Sequence, residues 1–435
     1  MQHRIKYILM GLIMLLLFLP LLQENFNLTK IRKLSGDYVP APNVNITLNG
    51  WFTKDFQEKK EVFLRDHFGY HHTYIRLHNQ IAFYLFRKAK ANGVIIGKEN
   101  YLYEKRYIEA YYGADYIGVD SIYKKMYMIS FLADTLRKLN KTFLLVFAPG
   151  KAAYFPEYLP NEPLVPKGIT NIEVYSRLAK EMGIPHINFH RWFIEQKNKS
   201  AYPLVPKYGI HWSQYGAVLA ADSILRTLEQ WRNIDIPEMN WKKIVMDKGK
   251  ETDIDIEKGM NLLYRFQPET LAYPEVIFDT EVDSGQTKPS VLVVADSYYW
   301  QIFGMGISNI FNRSDFWYYF KSAHSPRYEK TKDIQEVDIM DEINQHEVII
   351  LMSTDVHLPN LGWNFVETLF KNYQGKLPKT HQNYSYQHEI REAMDYMITD
   401  KEWMKLIEKK AKTKNISVDS MLYLDAKWAI DLKYE

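Results

Sequence analysis

The chain contains no cysteine. That excludes disulfides, thiolate metal ligands and cysteine nucleophiles together, and leaves the redox compartment open. Net charge is also nearly missing: 55 Lys and Arg against 52 Asp and Glu leave +3 over 435 residues. So even a balance excludes a nucleic-acid binder that works through a broad basic surface. Internal repeats and low-complexity tracts are absent. Long apolar runs are absent too, with one exception.

The exception is Tyr7 to Leu22 (YILMGLIMLLLFLPLL), preceded by His3, Arg4 and Lys6. A cleaved secretory signal and an uncleaved anchor both fit such a run. It is short for a spanning helix, and Pro20 sits near its far end. The following Gln23-Glu-Asn-Phe-Asn27 offers no small-x-small cleavage site. A signal anchor is therefore expected, through residues 7–22, with its basic end in the cytoplasm. On either reading the remainder is exported.

What is present is ordinary for a globular chain: 46% hydrophobic and 25% charged residues, enough for a sizeable core. Aromatics reach 15%, including 32 Tyr and 10 Trp. Such side chains fill cores and also stack on sugars.

The organising stretch is Ser290 to Phe303 (SVLVVADSYYWQIF). Val291 to Val294 reads as a buried, parallel strand. It stops at Ala295-Asp296-Ser297, and a segment with helical spacing follows. A serine there sits in the crevice where open α/β sheets bind ligands, beside N–H groups suited to a developing oxyanion. The plain alternative is a helix-capping serine.

Around it, Phe52 to Lys90 reads as helical, with apolar residues from Phe52 to Leu85. His67 and His71 are four apart there, a spacing that suits a metal, but no carboxylate signature accompanies them and no metal is expected. Gly93 to Gly97 and Tyr101 to Tyr103 read as a hairpin turning at Lys98-Glu-Asn100. Ser121 to Leu139 reads as an amphipathic helix and Lys141 to Ala148 as a second buried strand, ending in Pro149-Gly-Lys151. A helix over Asn171 to Met182 and a short strand at His186 to Phe189 follow, and this alternation indicates an α/β core. Ser213 is an N-cap for a long helix with Ala217, Ala220, Ala221, Ile224, Leu225 and Leu228 on one face. His211 thus lies in the loop entering that helix, 86 residues before Ser297.

From Trp241 to Thr280 the pattern weakens. A loop and short helix are expected near Asp253, Asp255 and Gly259 to Leu263, and a strand at Glu275 to Asp279. Asp315 to Phe320 and Glu347 to Met352 read as further strands, the second ending in a polar segment that includes Asp355. Ile390 to Thr399, Lys401 to Lys412 and Ser417 to Ile430 suggest three short helices whose charges form a solvated face. The expected division is an anchor at 1–24, a tether and helical segment at 25–90, a catalytic domain at 91–375 and a helical appendage at 376–435.

Five elements, in this order, resemble the SGNH-hydrolase-like alginate O-acetyltransferase family (AlgJ/AlgX/DHHW-like). They are Phe63-Leu-Arg-Asp-His67; Gly93-Val-Ile-Ile-Gly-Lys98 with Tyr101-Leu-Tyr103; Ala148-Pro-Gly-Lys151 with Tyr154 and Pro156-Glu-Tyr-Leu-Pro160; His211-Trp-Ser with Gly216-Ala217; and Val293-Val-Ala-Asp-Ser297. The resemblance runs from about Asp55 to Phe370. It implies a flavodoxin-like three-layer α/β/α fold with a parallel sheet. It also implies transfer of acetyl groups to an exported cell-envelope polysaccharide, with a multi-spanning MBOAT-type acyltransferase as donor partner. The implied location is the inner membrane, with the catalytic domain periplasmic. By this likeness Ser297 is the nucleophile and His211 its base, while Lys151, Tyr154, Asp296 and Tyr298 are candidates for substrate binding. No cofactor is implied.

One departure matters. The family's orienting aspartate stands two residues before the histidine, where this chain has Gly209. Asp355, Asp253 or Asp255 is the candidate replacement; a backbone carbonyl in the same role, or loss of catalysis, would equally account for the glycine. Ala295 in place of the family's glycine is a milder change. Two rival functions remain open at this level: an acetylesterase using the same serine, and a non-catalytic glycan-binding or scaffolding protein.

Overall fold

A computed structural model describes residues 2–36, 38–52, 54–161, 166–279, 281, 283–376 and 381–434. The eleven strands among them are β1 (Val94–Ile96), β2 (Leu102–Glu104), β3 (Thr142–Ala148), β4 (His186–Asn188), β5 (Met239–Lys248), β6 (Thr270–Phe278), β7 (Ser290–Ala295), β8 (Arg313–Tyr318), β9 (Ser322–His324), β10 (Lys332–Asp333) and β11 (Val348–Thr354). Seven form the central sheet in the order β10-β9-β8-β7-β11-β3-β4. The five strands from β8 to β4 are parallel, while β9 and β10 add an antiparallel edge.

The central strands are apolar on both faces because both faces are covered. In β3, Phe143, Leu145 and Phe147 enter one core, while Leu144, Val146 and Ala148 enter the other. In β7, Leu292 and Val294 face the first core, and Val291, Val293 and Ala295 the second. Helices Val119–Lys138, Asn171–Glu181 and Phe365–Asn372 cover one side; Lys105–Tyr112, Phe189–Gln196 and Gln214–Arg232 cover the other. The result is a three-layer α/β/α arrangement around a mostly parallel sheet.

Local signals set the helix ends. Thr170 and Glu173 form a capping box, and Ser213 Oγ accepts from the Gly216 N–H at 3.0 Å. The hairpin of β1 and β2 turns at Lys98–Asn100 as expected, with Glu99 and Asn100 at φ +52° and +65°.

Three expectations need correction. Phe52 to Lys90 is not one helical stretch: after α1 (Gln2–Phe26) come α2 (Leu48–Trp51), α3 (Lys54–His67) and α4 (His71–Phe86). The break falls at Gly69-Tyr70, where Tyr70 has φ +66° and a Cβ on Gly69 would lie 2.1 Å from the Pro20 carbonyl oxygen. The turn can approach α1 only without a side chain there. Second, the weakly patterned region holds a two-stranded antiparallel ladder, β5 on β6, with β6 starting at Thr270 rather than Glu275. One face of that ladder is wet, and mixed polar residues in β5 hid the alternation. Third, the short helix between these strands is Asp255–Gly259, preceded by a 3-10 turn at Glu251–Ile254, rather than Gly259 to Leu263.

The carboxyl-terminal helices, His381–Thr399, Lys401–Lys414 and Val418–Tyr434, have their own core around Ile390, Met397, Ile407, Met421 and Leu422. The expected boundary at 376 lies beside residues 377–380, which are outside the described residues.

Candidate active site

The parallel strands deliver their carboxyl ends to one edge of the sheet. Ser297 follows β7, Tyr319 follows β8, Asp355 follows β11 and Lys151 follows β3. Asp296 fixes the first of these turns. Its Oδ2 accepts from the Thr354 N–H (2.7 Å) and hydroxyl (2.8 Å), and its Oδ1 accepts from the Tyr298 N–H at 3.1 Å. Ser297 is left partly exposed at the rim while its neighbours are buried.

His211 is brought to it by two hydrogen bonds that bracket the histidine. Tyr298 Oη donates to the Ile210 carbonyl (2.6 Å), and Gln301 Nε2 donates to the Trp212 carbonyl (3.1 Å). The serine segment thereby clamps the histidine loop, and His211 Nε2 lies 2.9 Å from Ser297 Oγ. On the other side, His211 Nδ1 lies 2.9 Å from Asp255 Oδ2. Asp255 Oδ1 accepts from the N–H groups of Ile210 (3.0 Å) and Ile256 (2.7 Å). A carboxylate held by two N–H donors is an acceptor, so Nδ1 carries the imidazole proton and Nε2 presents a lone pair to the serine hydroxyl.

Gly209 explains why the acid comes from elsewhere in the chain. A Cβ at 209 would lie 2.1 Å from the Thr252 carbonyl oxygen and 2.6 Å from the Asp253 carbonyl carbon. The segment that carries Asp255 is seated on the spot that a side chain at 209 would fill. Of the three candidate acids, Asp255 alone faces His211. Asp253 Oδ2 is held by Tyr273 Oη (2.5 Å) and the Lys250 N–H (3.0 Å). Asp355 lies deep under the site, its Oδ2 3.8 Å from His190 Nε2. Burial pushes the Asp355 carboxyl up to about 7 and pulls His190 down to about 4.

The residues expected to bind substrate are interior supports instead. Lys151 is fully buried and donates to the carbonyls of Lys207 (2.8 Å) and Gly209 (2.5 Å), so it fixes the loop that leads to His211. Burial lowers its pKa to about 7 against the pull of Asp255, Glu269 and Glu104. Tyr154, Asp296 and Tyr298 are buried as well, and the Asp296 and Tyr298 side chains are spent on the loop bonds already described. Asp296 is held by the Thr354 N–H and hydroxyl and the Tyr298 N–H, and Tyr298 Oη by the Ile210 carbonyl.

His357 lies in the polar segment after β11, a strand end expected to line a pocket, whereas no sequence pattern marked Tyr319. Tyr319 has φ +51°, and its phenol sits beside Ser297 and 3.1 Å from His357 Nε2. Arg106 Nη2 reaches His357 Nδ1 at 3.5 Å. Because arginine only donates, Nδ1 is the acceptor and Nε2–H donates to Tyr319 Oη, which frees the phenolic hydrogen. Burial lowers the His357 pKa and keeps the ring neutral. Strand-end position is the signal that could have found Tyr319. Beside it opens a cleft of about 580 Å³ lined by Tyr319, Trp363, Lys125 and Glu367.

As for metals, His67 Nδ1 bonds to its own helix at the Phe63 carbonyl (2.9 Å). The cluster with ligand-like spacing among the described residues is Asp315, Glu342 and His346. Arg313 and Arg327 both pair with Asp315, at 3.2 and 2.7 Å, and both also reach Glu342, so the cluster reads as a buried ion network.

Comparison with known proteins gives a loose likeness. No family model matches the chain, and no curated protein does. Among solved structures, the O-acetyltransferase domain of Pseudomonas putida AlgJ is similar at 16% identity and TM-score 0.43, covering 61% of this chain and 92% of that one. Pseudomonas aeruginosa AlgX is similar at 13% identity and TM-score 0.39, over 63% of this chain and 67% of that one. Bacillus cereus PatB1 gives 16% identity and TM-score 0.39, over 62% and 99%. These names belong to the group that the sequence motifs resemble.

Proposed function

We propose that the protein is an O-acetyltransferase acting on an exported cell-envelope polysaccharide through a covalent acetyl-Ser297 intermediate. The observation that carries this reading is the continuous line Ser297 Oγ, His211 Nε2, His211 Nδ1, Asp255 Oδ2, with both gaps at 2.9 Å. Ser297 Oγ attacks the acetyl carbonyl as His211 takes its proton. The tetrahedral oxyanion is met by the Tyr319 phenol and the N–H of Ser297 itself, since the Tyr298 N–H is already given to Asp296. Collapse passes the proton from His211 to the leaving group. A sugar hydroxyl then gives its proton to His211, attacks the acetyl-serine and releases the free serine.

The choice of acetyl and of a glycan rests on the motif resemblance, and the cleft flanked by Trp363 and Tyr319 gives a sugar ring aromatic faces to stack on. On the same reading α1 is a membrane anchor, the acetyl donor is an integral-membrane acyltransferase of MBOAT type, and the site works on the far side of the inner membrane. Helix Arg4–Phe26 is 23 residues long, and none of its most apolar 18-residue window is buried; at the helical rise it spans about 35 Å, enough to cross a bilayer core.

The full chain, supplied with a small acetyl ester and with oligosaccharide acceptors, tests this. Acetyl on the sugar is the expected product. Acetate alone would make water the acceptor and the protein an esterase, and no turnover with an unmodified Ser297 would leave a binding role.

A further inference from the structure

Helix α4 buries polar side chains beside Ala82 and the partly buried Phe83, and exposes most of its larger apolar ones. The face turned toward the protein carries Arg76 and Asn79, both buried: Arg76 Nη1 donates to the Leu262 carbonyl (3.2 Å), Arg76 Nη2 to the Lys33 carbonyl (2.6 Å), and Asn79 Nδ2 to the Met260 carbonyl (3.0 Å). The face turned outward carries Tyr74, Leu77, Ile81, Tyr84 and Leu85 at helical spacing, all exposed, with Tyr84 at 79% and Leu85 at 66%. Normal amphipathic helices on water-soluble domains present the opposite pattern. The stripe continues across the turn, where Phe68 stacks on Tyr74 with ring centres 5.9 Å apart.

Position and charge identify what covers it. The turn before α4 is clamped to the last turns of α1. Gly69 packs against the Pro20 carbonyl, and Thr29, bonded to Gln23, lies 3.3 Å from Tyr70 Oη. The stripe therefore begins where α1 would leave a bilayer. No acidic residue occurs between Asp66 and Glu99, and the helix is followed by Arg87, Lys88 and Lys90. Aromatic and aliphatic residues on one face, bounded by cations and free of carboxylates, match the headgroup zone of an anionic membrane.

We propose that α4 docks its outer face into the surface of the bilayer that α1 spans; this rests on reading α1 as an anchor. Docking would also reach the active site. The carbonyls that α4 holds, at 260 and 262, directly follow the helix carrying Asp255. The bilayer surface thus buttresses the orienting acid and sets the height of Ser297 above the membrane.

The absence of cysteine makes the test clean. Nitroxide labels go on Leu77→Cys, Ile81→Cys and Leu85→Cys in the full chain, one copy per nanodisc of phosphatidylethanolamine and phosphatidylglycerol. Leu12→Cys reports on α1 and Lys138→Cys on a wet surface. Collision with oxygen and with a water-soluble nickel chelate is read by power saturation, and matching thermal melts confirm the fold. The expected result is a several-fold rise in oxygen contact and a fall in chelate contact at all three stripe positions relative to Lys138→Cys. Water-like values at the stripe with Leu12→Cys in lipid would overturn the docking and leave the anchor standing. Water-like values at Leu12→Cys as well would overturn both. Stripe labels shielded from both reagents would mean a protein cover and would also overturn the proposal.

Discussion

At the residue scale the decisive substitution is between neighbours. Asp255 and Asp253 are two positions apart, yet only Asp255 meets His211. Asp255→Asn leaves the ring without its orienting carboxylate, and kcat should fall by as much as ~10⁴ in steady-state assays. Asp253→Asn should leave the chemical step largely intact. Gly209→Asp, which restores the expected acid by sequence, should not rescue Asp255→Asn. Its side chain meets backbone at 2.1 Å, and overpacking of this kind costs about 1–3 kcal/mol in denaturant melts. Asp355 offers a pH test. Its folded pKa of about 7 lies above the ordinary value of 3.8, so the folded state holds a proton that the unfolded chain gives up. Stability should fall as pH rises from about 4 to 7, by at most about 1.4 kcal/mol per pH unit, and Asp355→Asn should flatten that slope. Lys151 acts in a different window. Its depressed pKa means stability lost as pH falls from about 10.5 to 7, a loss that Lys151→Met should remove. His211 and Ser297 were legible in the sequence because each follows a recognisable strand-end or cap pattern. The acid was legible only as one of three, since nothing local to Asp255 reveals a histidine 44 residues earlier.

At the element scale the buried parallel strands read clearly. A strand covered on both faces reads as a nearly continuous apolar run, as residues 143–148 of β3, 291–295 of β7 and 348–352 of β11 do. Elements with one wet face, or whose limits depend on a distant contact, did not read. The α3–α4 break exists because Gly69 packs on α1, and β5 escaped notice because its alternation is diluted by Lys242, Lys243 and Asp247. The ladder of β5 and β6 matters for function, because the loop joining them delivers Asp255. Beside β7, strand β8 depends on the ion network around Asp315. Burial alone would raise that carboxyl, but hydrogen bonds and charge, led by His346, outweigh it and hold the group well below the usual range. Asp315→Asn would leave Arg313, Arg327 and His346 short of a buried partner. A loss of about 3–5 kcal/mol is expected in chemical denaturation, with little change in kcat for the molecules still folded.

At the scale of the whole molecule, one sheet edge gathers groups from four strand ends while the rest of the chain sets where that edge works. The carboxyl-terminal helices have a separate apolar core and touch the sheet domain mainly through helix Val119–Lys138 and the Arg177–Glu392 pair. A chain ending at residue 376 should keep the triad and form acyl-enzyme at an unchanged rate. The amino-terminal helices contact the acid-bearing segment, so their removal should be felt at the site. The most direct measurement is trapping of the acyl-enzyme: the full chain is mixed with an acetyl ester, quenched in acid and mapped by peptide mass. A gain of one acetyl group on the peptide containing Ser297, lost in His211→Ala and strongly slowed in Asp255→Asn but not in Asp253→Asn, is the predicted result. Acetyl found elsewhere, or on Ser297 at the same rate without His211, would contradict the account.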